Sequence, residues 1–573
     1  MTGVETVLWA LLLVLPPALA GWSVLSLLDP PGIGRDARLA LSPVVGVAAF
    51  STALAAGIPL LPSHAALAAA TACVLATIPI AALRSRGRPR FTRSQLAVAA
   101  IACIAILPVS VPALAHDTGG AATWGNADPY LWVSQAKSLL DGPPPAPATR
   151  FPDRVAYEHL ERGGWAPALP SFVALAALSS HRDPLDAFAI VVAALYVLTP
   201  LTAFAIARVA LGWSTRLSFA AGVLVALNPF QLYGAFYGWL PQIAAVACVL
   251  AAALAFRLSL GRSGTQPRLT SLSALLIAGA LGIYRLPFLP YLVFILAVVV
   301  LGYLLQNRHT LRHSVRQVAR QGALLTAAAL VFVLPSAAGF VAHGSTFWSR
   351  QADVASWQRY VRALPSDALG LTPRFPDLGR SMFLGWRVFA LLLAAVLLIA
   401  GTLALRRSVA RERDLVLGIA IASVLAVAVA QLPSVTPYFS IKLMAYAVAP
   451  MILVALAPLS GRRSFHRTIA VSALVVAVSL TVVIVGGFGT KSASALAPLS
   501  GDLGSSAPVE VDFRSTWDQM WTIYYTRDHP TSVPHASDFL TGLGLSRPAA
   551  AYRHACPPRT GARTPGVRLC GIS

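Results

Sequence analysis

The chain has 573 residues, of which 57% are apolar and only 12% charged, and its mean hydropathy is +0.69. A soluble domain is nearer half apolar and a quarter charged, so this composition excludes a single soluble globular fold and indicates a polytopic membrane protein. The net charge of +22 does not indicate nucleic acid, because the Lys and Arg fall in short clusters between apolar runs, the pattern that orients membrane proteins.

The first residues, Met1-Thr2-Gly3-Val4-Glu5, have no basic n-region, so the first apolar run is expected to be retained rather than cleaved as a signal peptide. Runs of roughly 20 apolar residues lie near 5–28, 39–61, 64–83, 95–115, 186–210, 216–236, 240–260, 269–285, 287–305, 321–342, 383–405, 414–432, 438–458 and 467–487, about fourteen in all. The runs that abut at Tyr284-Arg285-Leu286-Pro287 are expected to form a tight hairpin. Connections at 84–90, 257–268, 308–320, 406–413 and 462–467 are all basic, and fourteen spans put them on one side. The N-terminus, the loops 116–185 and 343–382, and the segment after 488 then lie on the other side. The expected fold is an all-α polytopic membrane domain, 1–487, followed by a small α/β domain, 488–573, with both chain ends outside a cell membrane.

The polar stretch from His116 and Asp117 to Trp132 opens a loop of about 70 residues, far longer than a connection between spans requires. Asp128 is a plausible N-cap, Pro129 suits the first helical position, and Gly142 ends a helix. Leu131, Val133, Ala136, Leu139 and Leu140 predict that this helix lies along the outer membrane face. Pro143 to Pro147 reads as a stiff turn. Beyond it, Glu158, His159 and Glu161 read as a solvated helix face rather than metal ligands.

Asn228-Pro229-Phe230-Gln231 and Tyr237-Gly238-Trp239 predict an aromatic hairpin on the outer side. Arg285 and Lys442 stand at the outer ends of spans, where a cation is costly unless it has work to do. His309 and His313 lie in a basic inner connection, where an electrostatic role is expected. In the last segment, 509–513 alternates like a strand, 515–525 has helix spacing after a Ser start, and 531–535 could be a second strand. Cys73, Cys103 and Cys248 read as packing residues within spans. Cys556 and Cys570 could form a disulfide in an oxidising compartment.

The segment Asp128-Pro129-Tyr130, with a short helix ending at Leu139-Leu140-Asp141-Gly142 after an outward-going span, resembles the first external loop of GT-C glycosyltransferases. The family uses polyprenyl-phosphate-linked sugars. The resemblance covers about fifteen residues besides the architecture. It implies a loop carboxylate as catalytic base or metal holder, a role falling on Asp128 with Asp117 second. Any divalent cation, Mg or Mn, would sit on these two. It further implies donor-phosphate binding at Arg285 and Lys442, and substrate contact at Tyr130, His116, Tyr438 and Trp239. The partners implied are a polyprenyl-phosphate sugar donor, a cell-envelope glycan or lipid acceptor, and membrane lipids. The Trp-Trp-Asp-Tyr-Gly signature of oligosaccharyltransferases is absent, so peptide Asn is not the expected acceptor, and three spans precede the family's usual start.

An aromatic-plus-Lys span start such as Tyr438 to Lys442 also occurs in actinobacterial arabinosyl- and mannosyltransferase-like proteins. The Ala/Arg/Pro-rich usage resembles that of a high-GC actinobacterium. Three other readings remain open: a lipid or glycan flippase, a glycan polymerase or ligase, and a noncatalytic envelope assembly protein.

Overall fold

The computed structural model describes residues 2–58, 60–84, 93–117, 122–123, 128–161, 168–262, 264–284, 289–334, 362–372, 384–408, 412–429, 431–432, 437–460, 479–480, 491–492, 508–513, 515–534, 536–537 and 567–569. The described chain is overwhelmingly helical. Seven of its helices are long and apolar enough to cross a membrane, or up to nine if each bent pair counts as one span. That makes it an all-α membrane protein, with fewer spans established by length and composition than the fourteen expected. The run near 467–487 lies almost wholly outside the described residues.

In chain order the helices are α1 (Gly3–Leu28), α2 (Arg35–Gly57), α3 (Ser63–Arg84), α4 (Arg93–Val109), α5 (Val111–His116), α6 (Asp128–Asp141), α7 (Arg154–Glu161), α8 (Ala168–Ser180), α9 (Pro184–Tyr196) and α10 (Leu198–Val209). They continue with α11 (Thr215–Ala226), α12 (Pro229–Phe236), α13 (Leu240–Leu260), α14 (Pro267–Ile283), α15 (Leu289–Gln306), α16 (Leu311–Val333) and the single turn α17 (Pro365–Ala368). The last are α18 (Leu384–Arg407), α19 (Arg413–Val429), α20 (Pro437–Leu456) and α21 (Thr516–Tyr525).

At the centre stands α13, every residue of which is buried. Between Gln242 and Arg257 its sequence is apolar all round, so that stretch offers no polar face and fits only where neighbours enclose it. α1 and α2 cross closely because Gly46 has no side chain: a Cβ there would lie 1.9 Å from the Pro17 carbonyl. Small residues at such crossings let membrane helices approach to backbone contact.

Three features depart from the expected spans. The run 216–236 is broken: α11 and α12 meet at 43°. Asn228 causes the break, capping α12 by accepting from the Phe230 and Gln231 amides at 2.9 and 3.1 Å, with Pro229 next. The basic stretch 308–320 is no loop, since α16 runs through it from Leu311 after an 85° bend from α15. And the loop 116–185 is not purely a surface loop, because its helix α8 is apolar and mostly buried.

The two ends of the bundle differ. At one end Arg38 pairs with Asp29, Arg208 with Asp36 and Arg257 with Asp414, which joins the lower ends of α1, α2, α10, α13 and α19. The opposite end gathers the start of α1, the described residues of 128–183, the starts of α13 and α20, and the described residues after 508. There α21 lies against α6, and a three-stranded sheet has the order β4 (Thr531–Ser532), β3 (Val509–Val511), β5 (Val567–Leu569). β1 (Ala122–Thr123) pairs antiparallel with β2 (Lys491–Ser492), which ties the first loop to the start of the C-terminal segment.

Candidate functional site

α6 is built as its residues dictate. It starts at Asp128 with Pro129 second, and ends where Gly142 takes the left-handed conformation, φ 87°. Its setting differs from the expected one. Pro129, Tyr130, Trp132, Val133, Gln135 and Ala136 are all buried, so α6 is enclosed by protein rather than laid on lipid. The reason is that α7, α8, α9 and α21 all pack against it.

The start of α6 rests on the turn before α13. Gly238 adopts φ 69° there, and a Cβ on it would come within 2.5 Å of Pro129 Cγ. A residue with a side chain would be strained in φ and would push Pro129 away. This contact sets Asp128 above the first turn of α13.

Three polar residues, from α13, α20 and the end of α14, meet near that point, within reach of the Asp128 charge. Gln242 Nε2, from α13, donates to the Tyr284 hydroxyl oxygen at 3.0 Å. Lys442 Nζ, from α20, donates to the same oxygen at 3.2 Å and stands 5.5 Å from the ring centroid. Asp128 is close enough that its charge acts on both Tyr284 and Lys442. Tyr284 and Gln242 are buried, whereas Asp128 and Lys442 keep partial exposure. Gln242 Oε1 is buried without a hydrogen-bond partner. The amide can be turned by half a rotation, so one of its two polar atoms is spare in either orientation. Two donors on one phenol oxygen also leave the Tyr284 proton free to bond elsewhere. The cluster thus combines a carboxylate that can take a proton, an ammonium that can hold an anion, and spare hydrogen-bonding capacity.

A roof crosses this end. Asn228 Nδ2 donates to the Ala368 carbonyl at 3.0 Å, and Ser440 Oγ accepts from the Ala363 amide at 2.9 Å. The segment 362–372 is thereby fixed over α12 and over α20, half a turn from Lys442.

The other candidates from sequence lie in different surroundings. Asp117 is exposed, takes φ 48°, and accepts from the Gly3 amide at 3.1 Å, which places it as a cap on α1. His116 is exposed beside it. Tyr130 is buried and donates to Asp153 Oδ1 at 2.9 Å. Trp239 is 1% exposed, packed with Tyr233 and Tyr237 at 5.4 Å each, and immediately precedes α13, three residues before Gln242. Arg285, Cys556 and Cys570 lie outside the described residues, as does the side chain of Tyr438.

A second polar cluster locks the C-terminal segment onto α6. Arg527, 5% exposed, reaches fully buried Asp153 at 3.5 Å, Ser138 Oγ at 3.2 Å and the Gly142 carbonyl at 3.1 Å. The Tyr524 hydroxyl donates to Asp183 Oδ1 at 2.5 Å, and Lys137 Nζ donates to Asp183 Oδ2 at 2.8 Å. Trp521 meets Tyr130 edge-on at 6.1 Å, and the Thr531 amide donates to the Arg150 carbonyl. Burial pushes the Asp153 carboxyl above its usual value, with Arg527 opposing the shift, and burial likewise raises Tyr130. In the sequence Gln242 and Tyr284 stand out only as parts of two expected hairpins, and Arg527 not at all. One signal was available for Arg527: Trp517, Trp521 and Tyr524 form an aromatic helix face, larger than two short strands can cover.

No protein-family model matches the chain, and neither does any curated protein.

Proposed function

From the cluster around Asp128 we propose that the chain is an integral membrane glycosyltransferase of GT-C type. It would transfer a sugar from a polyprenyl-phosphate donor to a cell-envelope glycan or glycolipid. The single observation that carries the reading is the Lys442–Tyr284 hydrogen bond within reach of the Asp128 charge, at the end of the bundle away from the basic segments. In this reading that end faces outward in the cell membrane and carries both chain ends.

Each group has a task in an inverting transfer. The acceptor hydroxyl oxygen attacks the anomeric carbon, and its proton passes to the Asp128 carboxylate. The bond from the anomeric carbon to the phosphate oxygen breaks, and the electron pair leaves with the polyprenyl phosphate. Lys442 stabilises the charge that develops on that oxygen. Tyr284 and Gln242 hold the ammonium in place, and the spare Gln242 amide atom is free to bind a sugar hydroxyl. The resemblance also allows a divalent cation on Asp128. The donor set does not fit one, because the neighbours are an ammonium, a phenol and an amide rather than further carboxylates. Lys442 supplies the positive charge in its place.

The experiment uses purified full-length protein, with release of polyprenyl phosphate as the readout. Asp128→Asn keeps shape and removes the base, so the rate is expected to fall by a factor of about 10² to 10⁴. Lys442→Met is expected to lower it by a comparable factor through the unneutralised phosphate. Undiminished transfer by Asp128→Asn with a normal thermal transition refutes the mechanism. Absence of transfer from every polyprenyl-phosphate sugar by the unaltered protein refutes the function.

A further inference from the structure

Among the described residues, part of the positive charge at the end of the bundle opposite Asp128 has no carboxylate partner. Between Asp186 and Asp353 the sequence contains no Asp or Glu. Carboxylates that other segments bring to this end are already engaged. Asp29 holds Arg38 at 2.7 Å and Arg268 at 3.7 Å, Asp36 holds Arg208 at 3.4 Å, and Asp414 holds Arg257 at 2.6 Å.

Arg312, Arg316 and Arg320 follow one another at four-residue spacing along α16 and so form a single stripe. All three are exposed, and among the described residues none forms an ion pair. Like charges at this spacing disfavour an isolated helix. Rotation of the stripe inward is prevented by the opposite face of the same turns. Gln317 Nε2 donates to the carbonyls of Arg262 and Gly264 at 2.7 and 3.0 Å, and Gln321 Nε2 to that of Gly264 at 2.9 Å. Exposed apolar residues flank the stripe: Leu311 at 51% and Val315 at 48%, with Leu330 and Val331 farther up the same helix at 56% and 72%.

We propose that this stripe is a docking surface for the headgroups of anionic phospholipids in the adjoining leaflet. A row of guanidiniums at the foot of an apolar helix meets a bilayer at the depth of its phosphates. Leucine and valine among the arginines match a surface that is part headgroup and part acyl chain, as a soluble polyanion is not. The hydrogen bonds of Gln317 and Gln321 fix the helix face that bears the arginines, so no rotation of the helix precedes binding. This surface is independent of the chemistry assigned to Asp128.

The test is native mass spectrometry of the full chain in neutral detergent, with phosphatidylglycerol and phosphatidylcholine of identical acyl chains offered in equal amounts. The unaltered protein is expected to retain phosphatidylglycerol selectively. Each arginine near such a surface contributes about fivefold. The triple variant Arg312→Gln, Arg316→Gln, Arg320→Gln is therefore expected to lose about 100-fold of that selectivity. Glutamine keeps the helix propensity. Should the triple variant fail to fold, Arg316→Gln alone is expected to lose about fivefold. Equal retention of both lipids by the unaltered protein overturns the proposal, and so does unchanged selectivity in a folded variant. Competition by soluble glycerophosphoglycerol as strong as that by the lipid overturns the assignment to a bilayer.

Discussion

Replacing Arg527 with Gln would test whether the C-terminal segment positions the helix that carries Asp128. The substitution keeps a polar side chain but removes the charge facing Asp153, which is 0% exposed. Stripping one partner from a buried ion pair costs about 3–5 kcal/mol, because the other charge is left without compensation. The bonds to Ser138 and to the Gly142 carbonyl weaken at the same time, so both ends of the second half of α6 lose their anchor. The loss is local: it falls on the contact of residues 516–531 with α6. Hydrogen exchange of the amides in 516–525 should therefore speed up by at least about 100-fold, while those of central α13 keep their protection.

The pH dependence has a definite sign. Burial raises the Asp153 pKa in the folded state, so the unfolded state gives up that proton more readily, and this group lowers stability as pH rises. Arg527 opposes that shift, so removing it moves the folded pKa still higher and widens the window. The opening caused by Arg527→Gln is expected to be smaller near about pH 5 than near about pH 8, because a protonated Asp153 needs no partner. The double variant Asp153→Asn, Arg527→Gln should recover most of the protection at the higher pH. Equal opening at both pH values, or no recovery in the double variant, would refute the reasoning.

Two further outcomes follow from the geometry. Gly238→Ala forces a side chain into a left-handed backbone position and toward Pro129 Cγ, at a cost of about 1–3 kcal/mol. Its thermal transition should drop, and transfer should fall with it as Asp128 moves; a variant with normal stability and rate contradicts the close packing. At the opposite end, Asp414→Asn removes the negative charge facing the buried Arg257 guanidinium, whose Nε and second terminal nitrogen contact that carboxylate at 2.6 and 2.9 Å. Its partners Gln306 and Tyr303 are neutral. Thermal unfolding should show a loss of about 3–5 kcal/mol, whereas Arg257→Met with Asp414→Leu should come out near neutral. Equal losses from the single and double variants would be the contrary result.

Much of the fold was legible because a membrane imposes it. The apolar runs at 5–28, 39–61, 186–210 and 240–260 correspond to α1, α2, the continuous pair α9–α10, and α13. Their length follows from the thickness of a bilayer rather than from any partner. Asp128-Pro129 and Gly142 marked α6 because capping and left-handed termination are local effects. What failed was any inference that needed a neighbour. Nothing near Arg308 announces that α16 starts three residues later, since a basic loop and a basic helix have the same composition. Nothing near Asp117 shows that its carboxylate is taken up by the amide of Gly3.

For the candidate site the division is sharper still. Sequence alone determined that Asp128 opens a helix in a polar segment and that Lys442 is a cation sheltered near the end of a span. Both are properties of short stretches, set by backbone geometry and by the cost of charge in an apolar setting. Only the tertiary structure decided that the Asp128 charge reaches Lys442 and Tyr284, that Gln242 and Lys442 share the Tyr284 hydroxyl, and that Arg527 anchors α6 from almost 400 residues away. Those contacts join segments remote in the chain, and they exist because the packing of α13, α14 and α20 brings their ends together.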